Sequence, residues 1–409
     1  MKILIVLLDG VGDRPSPNLN GLTPLQAARI PFLNSLARNG INGIMDPVSP
    51  GIPVGSDTGH LSILGYDPYK YYPGRGPFEA LGAGIKLKPG DVAFRCNFAT
   101  VSDDGRVVDR RAGRISSQEA AQLVESLKEV SEVDGIEVLL KHTVEHRSVL
   151  VLRGEVSDKI SDVDPHKDGA ELIWPKPLNS SREAERTAEA LTKLLKKYKQ
   201  ILEKNPVNIR RREAGLPIAN MLLPRGAGRM PNLPSLSQRF GVRAAVLAGG
   251  ALYKGVCSSV GMDVVEVPGA TGTLNTDLDA KFKTAFKAIN EYDLVFLHIK
   301  GTDTAAHDKD PVTKASFIEK IDTAFAKNYS PPRDELVICV TGDHTTSSLT
   351  GEHRGDPVPV LIWGHGVRVD AVNRFNEVDS ASGALGRIRG TDLMSILMDL
   401  ANRTEKFGE

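Results

Sequence analysis

The sequence predicts an α/β fold: a mostly parallel sheet flanked by helices, with a smaller α+β domain inserted into it. Three observations carry that prediction. Short continuous apolar runs occur at KILIVLLDG, at 293–303 (DLVFLHIKGTD) and at 335–344 (ELVICVTGDH), each ending in an acidic residue beside glycine or threonine, which is the pattern of parallel strands buried on both faces. Helical patterns at 276–290 and 311–325 bracket the second run, so strand and helix alternate as in layered α/β proteins. Region 77–225 differs in texture, with short alternating strands at Val107-Val108 and at 148–152 followed by one long charged helix.

The organisation that follows is a body made of 1–76 and 226–409 and an inserted domain at 77–225, as suits a chain of 409 residues, too long for one ordinary core. The long helix is expected at 181–203, opened by the capping residues Ser180, Ser181 and Glu183 and closed before Asn205-Pro206; its lysines read as a solvated face. Pro- and Gly-rich stretches at 46–55 and 223–234 read as crossings between the units or as loops near a site.

Composition narrows the function. With 41% hydrophobic and 25% charged residues the chain is globular. Fifty-one basic residues cancel fifty-one acidic ones, so no long-range field gathers nucleic acid or an anionic membrane, and a small molecule captured locally is the expected partner. The run at 3–8 stops at Asp9, too short for a signal sequence or a membrane span. Cys96, Cys257 and Cys339 lack CxxC spacing, which argues against a disulfide framework or a thiolate zinc site and for a reducing cytoplasm. A monomer or small homo-oligomer fits these features.

Chemistry concentrates at the strand ends, where open α/β sheets place their sites. Asp9 ends the first run; Asp303 and His307, four apart, can share one face of a helical turn; Asp343 and His344 are adjacent and can both point inward only from a turn; His353 follows in Gly-Glu-His-Arg. A single aspartate or histidine in such a place is more often a cap or a satisfied core residue, but metal-type residues occupy the strand end all three times. Mixed carboxylates and imidazoles suit Mn²⁺ or Zn²⁺ better than Ca²⁺, and the donors suffice for two ions. Ser56, in the glycine-flanked turn Gly55-Ser56-Asp57-Thr58-Gly59-His60, opens a predicted helix. There its hydroxyl sits beside backbone N–H groups able to hold a phosphate oxygen, and a cation can activate it as a nucleophile. A plain N-cap is the alternative.

Taken in order, LLDG, GSDTGH, KGTDTAAHD, TGDHTT and GEHRGDPVP resemble the alkaline-phosphatase superfamily, in particular its phosphoglycerate mutases that need no bisphosphoglycerate. GSDTGHLSILGYDP and GRGPFEALGAGI are similar to the archaeal branch. The resemblance implies an alkaline-phosphatase-like fold and a glycolytic isomerase that interconverts 3- and 2-phosphoglycerate through a phosphoserine at Ser56. It further implies one ion held by Asp303, His307 and His353, a second held by Asp9, Ser56, Asp343 and His344, and an insertion that caps the substrate. Manganese is the first expectation for both ions, zinc or cobalt the alternatives. A metal-dependent phosphomonoesterase or phosphotransferase acting on another small phosphometabolite is the rival reading.

Phosphoglycerate also carries a carboxylate, and the planar fork of arginine suits both of its anionic groups. Arg110, Arg111 and Arg147 in the insertion are the candidates, with Lys300 neutralising phosphate charge or pairing with a neighbour. His166 and Asp164 are the expected proton shuttle between the two glycerate hydroxyls.

Overall fold

A computed structural model describes residues 1–330, 336–406 and 408; Glu335, which opens the third apolar run, lies outside them. The chain divides into two compact units, Met1–Tyr72 with Leu233–Glu409, and Pro73–Asn232. The second unit thus takes in residues 73–76 and 226–232, which the sequence reading assigned to the body. Local structure explains the difference, because helix Arg75–Gly82 and strand Met221–Gly228 both belong to the inserted unit.

The body is built on an eight-stranded sheet whose order runs Asp263–Val264, Ala244–Leu247, Leu294–Ile299, Lys2–Leu8, Leu336–Thr341, Val358–Gly364, Ile41–Asp46, Gly386–Arg389. Most pairs are parallel; Val358–Gly364 runs antiparallel to both of its neighbours. The three apolar runs are therefore adjacent central strands, with Lys2–Leu8 in the middle. Alternate side chains serve opposite faces: Leu4, Val6 and Leu8 join the core with helices Pro31–Arg38, Leu278–Ala288 and Pro311–Asn328, whereas the equally buried Ile3, Ile5 and Leu7 point the other way. Register brings Leu8 beside Ile299 and Leu7 beside Thr341, so the residues that follow each strand emerge together on one edge.

The inserted unit is an antiparallel sheet ordered Val107–Asp109, Val92–Val101, Arg147–Arg153, Ile136–His142, Glu132–Val133, with Met221–Gly228 also paired to Val92–Val101. Helix Arg182–Lys204, capped by Ser181 as expected, buries Leu191, Leu194, Leu195 and Tyr198 against one face. Helix Arg75–Gly82 covers the other at Ala80, Ala93, Val149 and Val151. The stretch at 223–234, expected to be a crossing between the units or a loop, is corrected in its first part, which is strand: Pro224 is the register partner of Cys96, and its carbonyl accepts the N–H of Val163 at 2.9 Å. All three cysteines are free and buried. Among the described residues no helix is long and apolar enough to cross a membrane.

One buried ion pair ties the loops of this sheet edge to the helical layer. Lys314 Nζ, fully buried, lies 2.9 Å from Asp13 Oδ2 and donates to the carbonyls of Gly12 (3.0 Å) and Thr346 (2.9 Å). Removing one member of such a pair leaves a buried charge alone, so Lys314→Met is expected to lose about 3–5 kcal/mol of stability by urea unfolding.

Candidate metal centre and nucleophile

Three strand ends deliver the site. Asp9 follows Lys2–Leu8 directly; the turn after Leu336–Thr341 carries Asp343 and His344, so both can face inward; helix Gly301–His307, just past Leu294–Ile299, carries Asp303 and His307. His353 sits in strand Glu352–Arg354, paired with Thr345–Ser347. Ser56 is the first residue of helix Ser56–Ile63. Two glycines permit the convergence. Gly10 has φ +60°, and a Cβ there would come within 2.8 Å of Asp303 Oδ1. A Cβ on Gly59 would run into the carbonyl of Asp343, so the helix that bears Ser56 packs directly on the Asp343 turn.

The side chains form two overlapping groups, Asp303, His344 and His353 in one and Asp9, Asp343 and His344 in the other, each with ligand atoms within 4.8 Å of one another. His307 belongs with the first, its Nε2 lying 3.3 Å from both Asp303 Oδ1 and His353 Nε2. Ser56 Oγ belongs with the second, 3.1 Å from His344 Nε2 and 3.5 Å from Asp9 Oδ1. The other ring nitrogens have fixed partners: Nδ1 of His307 on the Gly351 carbonyl (2.7 Å), Nδ1 of His353 on the Val54 carbonyl (2.7 Å) and Nδ1 of His344 on Thr346 Oγ1 (2.9 Å). Such outer partners set the tautomer that turns Nε2 toward a cation.

The donor set fits two divalent cations. Asp343 Oδ2, buried 3.2 Å from His60 Nδ1, makes no hydrogen bond among the described residues, the His60 nitrogen being directed at the Ser56 carbonyl at 2.6 Å. Burial alone would raise the carboxyl of Asp9, yet Lys300, His298 and His344 hold it well below the ordinary carboxylate range. Burial likewise opposes the imidazolium of His344, but Asp343, Asp9 and Asp303 raise it to about 9; the carboxylates thus favour a proton on His344, at a place where a cation can replace it. Lys300 bridges the groups, its Nζ 2.6 Å from Asp303 Oδ2 and 3.5 Å from Asp9 Oδ2, and these anions keep it charged despite burial.

The inserted unit gathers the other expected residues. Arg110 clasps Asp164 through Nε (2.6 Å) and Nη2 (2.7 Å), and despite burial that bond lowers the Asp164 carboxyl. A carboxylate so engaged holds Arg110 in place. His166, in a left-handed turn (φ 59°), lies 3.1 Å from Asp162 Oδ2 and 3.2 Å from Arg225 Nη1. Arg111 and Arg147 are exposed.

The sequence reading missed Arg95. It is 7% exposed and its Nε has no hydrogen-bond partner; the nearest carboxylate, on Glu79, is 3.6 Å away. Burial, reinforced by Arg75, Arg147 and Arg225, lowers it to about 9. Asn97 Oδ1 and His146 Nδ1 are also buried without partners, and burial beside Arg147, Arg111 and Arg95 pushes His146 down to about 3. The available signal was the spacing of Arg95 and Asn97 in VAFRCNFAT, which places two polar residues on one face of an otherwise apolar strand.

Crowded carboxylates that gain cations should stabilise the fold. Mn²⁺ at one hundred times its dissociation constant is expected to add about 2.7 kcal/mol per filled site, read as a rise in melting temperature. Asp303→Asn should take up one Mn²⁺ fewer per chain by elemental analysis.

Comparison with known proteins supplies the family. The family described as 2,3-bisphosphoglycerate-independent phosphoglycerate mutase matches residues 37–208. A Methanocaldococcus jannaschii protein named 2,3-bisphosphoglycerate-independent phosphoglycerate mutase 1 is 47% identical over 100% of this chain and 99% of its own. A Pyrococcus horikoshii protein named 2,3-bisphosphoglycerate-independent phosphoglycerate mutase is 50% identical over 100% and 98%. Among solved structures, a Pyrococcus horikoshii protein superimposes with a TM-score of 0.88 at 43% identity, covering 100% of this chain and 99% of that one. The cofactor-independent phosphoglycerate mutase of Thermoplasma acidophilum gives 0.72 at 41%, covering 98% and 100%. With relatives this similar along its whole length, the chain belongs to the 2,3-bisphosphoglycerate-independent phosphoglycerate mutases.

Proposed function

We propose that this protein interconverts 3-phosphoglycerate and 2-phosphoglycerate through a phosphoserine at Ser56. The observation that carries the reading is the placement of Ser56 Oγ, at the first position of a helix and 3.1 and 3.5 Å from the proposed ligands His344 and Asp9. Two bound cations, assigned here as Mn²⁺ on the strength of an oxygen and imidazole donor set, would lower the hydroxyl pKa and neutralise phosphoryl charge. Asp303, His307 and His353 would hold one of them, and Asp9, Asp343, His344 and Ser56 the other.

The chain's own groups divide the remaining work. Ser56 Oγ attacks phosphorus in line, the bond to the glycerate oxygen breaks, and the positive end of the Ser56–Ile63 helix favours the phosphoryl charge. Lys300, held charged between Asp9 and Asp303, offers an ammonium to a phosphoryl oxygen. Glycerate must be retained for its other hydroxyl to accept the phosphoryl group. On the inserted unit the best-furnished receptor for its carboxylate is the neighbourhood of Arg95, whose Nε makes no hydrogen bond among the described residues and on which Arg147 and Arg225 act electrostatically. Arg110, locked by Asp164, lines the same cationic region, since it acts electrostatically on Arg225. His166 carries the proton between the two glycerate oxygens.

The test follows 3-phosphoglycerate with Mn²⁺-loaded protein by ³¹P NMR. The expected product is 2-phosphoglycerate without free phosphate, and an inert Ser56→Ala variant; free phosphate alone would make the protein a phosphomonoesterase. Arg95→Met is expected to lower kcat/KM roughly 10- to 150-fold, the equivalent of about 1.5–3 kcal/mol for a charged hydrogen bond, in steady-state kinetics.

A further inference from the structure

Two of the three carboxylates of the candidate metal centre hold one oxygen on a protein donor and turn the other into the cluster. For Asp343 the held atom is Oδ1, which accepts the N–H of Gly10 at 3.0 Å, while Oδ2 lies 3.2 Å from His60 Nδ1 and makes no hydrogen bond among the described residues. Asp303 has both oxygens held, Oδ2 by Lys300 at 2.6 Å and Oδ1 by Thr346 Oγ1 at 2.8 Å, with Oδ1 also facing Nε2 of His307 (3.3 Å) and His353 (3.6 Å). For Asp9 the held atom is Oδ2, 2.9 Å from Nε2 of His298; Oδ1 faces His344 (3.3 Å) and Ser56 (3.5 Å).

His298 is the member of this set that neither the metal-ligand motifs nor the nucleophile turn accounts for. Its ring is 1% exposed and stacks on Tyr253 with centroids 3.7 Å apart and planes at 23°. The ring of His60 lies near it, with centroids 5.1 Å apart and planes at 51°. The fully buried Lys281 donates through Nζ to the His298 carbonyl at 2.9 Å, fixing the backbone below the ring. His298 Nδ1 is buried and has no partner, so the one hydrogen bond this ring makes is the one from Nε2–H to Asp9. A polar residue next to the end of the apolar strand Leu294–Ile299, its ring stacked on an aromatic face and its carbonyl held by a buried ammonium, serves that single contact.

We propose that His298 is a positioning residue for the cation at Asp9. As the nearer of the two donors on Oδ2, with Lys300 at 3.5 Å, it turns Oδ1 of Asp9 toward the proposed cation and would withhold the second carboxylate oxygen from it, leaving room for an oxygen of the substrate phosphoryl group. The proposal rests on the two-cation reading of the site, and its test is chosen to separate the two.

The experiment measures Mn²⁺ binding to chelator-stripped full-length protein by titration calorimetry, without substrate, for the wild type, His298→Gln and His298→Asn. Glutamine carries an N–H donor to about the position of Nε2; asparagine, one methylene shorter, does not. The Asn variant is expected to weaken one of the two Mn²⁺ sites roughly 10- to 100-fold, the usual effect of losing an outer-shell partner, and to leave the other unchanged, while the Gln variant restores the affinity. A merely structural role would weaken both sites alike without rescue by Gln, and that pattern overturns the proposal, as does an Asn variant with both affinities intact. If the wild type binds no Mn²⁺, the two-cation reading falls and takes this assignment with it. If it binds two but leaves 3-phosphoglycerate unchanged, the mutase reading falls while the affinities still decide the role of His298.

Discussion

The structure of the body depends on one electrostatic problem: three carboxylates, Asp9, Asp303 and Asp343, buried together at the edge of a single sheet. Asp9 and Asp343 offer ligand atoms within 4.8 Å of each other, and two like charges about 4 Å apart at an effective dielectric near 20 repel by about 4 kcal/mol. Adjacent parallel strands in fixed register bring the aspartates together, and glycines at 10 and 59 let loop and helix backbones close around them. A backbone amide holds one oxygen of Asp343, Lys300 and Thr346 hold the two oxygens of Asp303, and His298 holds one oxygen of Asp9, so the carboxylates share an interior that favours positive charge.

The inserted unit presents the reverse problem. Arg95 is buried with an unpaired Nε, other arginines act on it electrostatically, and Glu79 is the nearest carboxylate. A buried guanidinium with an unmade hydrogen bond is as costly as a buried carboxylate without one.

Much of this was legible in the sequence because strands buried on both faces leave an unambiguous apolar run, and the residue after each run must emerge at the sheet edge. Asp9, Asp303 and Asp343 were found in that way, and the mostly parallel sheet with them. His298 was not, although the HIK tripeptide interrupts an apolar run: its importance comes from a partner 289 residues away, which no local pattern reveals. Arg95 was hidden for the same reason, since register with Met221–Gly228 and Arg147–Arg153 is what surrounds it with other arginines. The partner of Asp164 was likewise out of reach of the Asp-Pro-His turn: its carboxylate accepts a bidentate pair of hydrogen bonds from Arg110, 54 residues away.

The claim on which the rest stands is that the carboxylate oxygens converge on two cations beside Ser56. Anomalous diffraction from crystals of the Mn²⁺-loaded protein tests it most directly. The account predicts two peaks, one bonded to Asp303, His307 and His353 and the other to Asp9, Asp343, His344 and Ser56 Oγ, with Oδ2 of Asp9 still on His298. A single peak, or a cation gripped by both oxygens of Asp9 with His298 turned away, would contradict it.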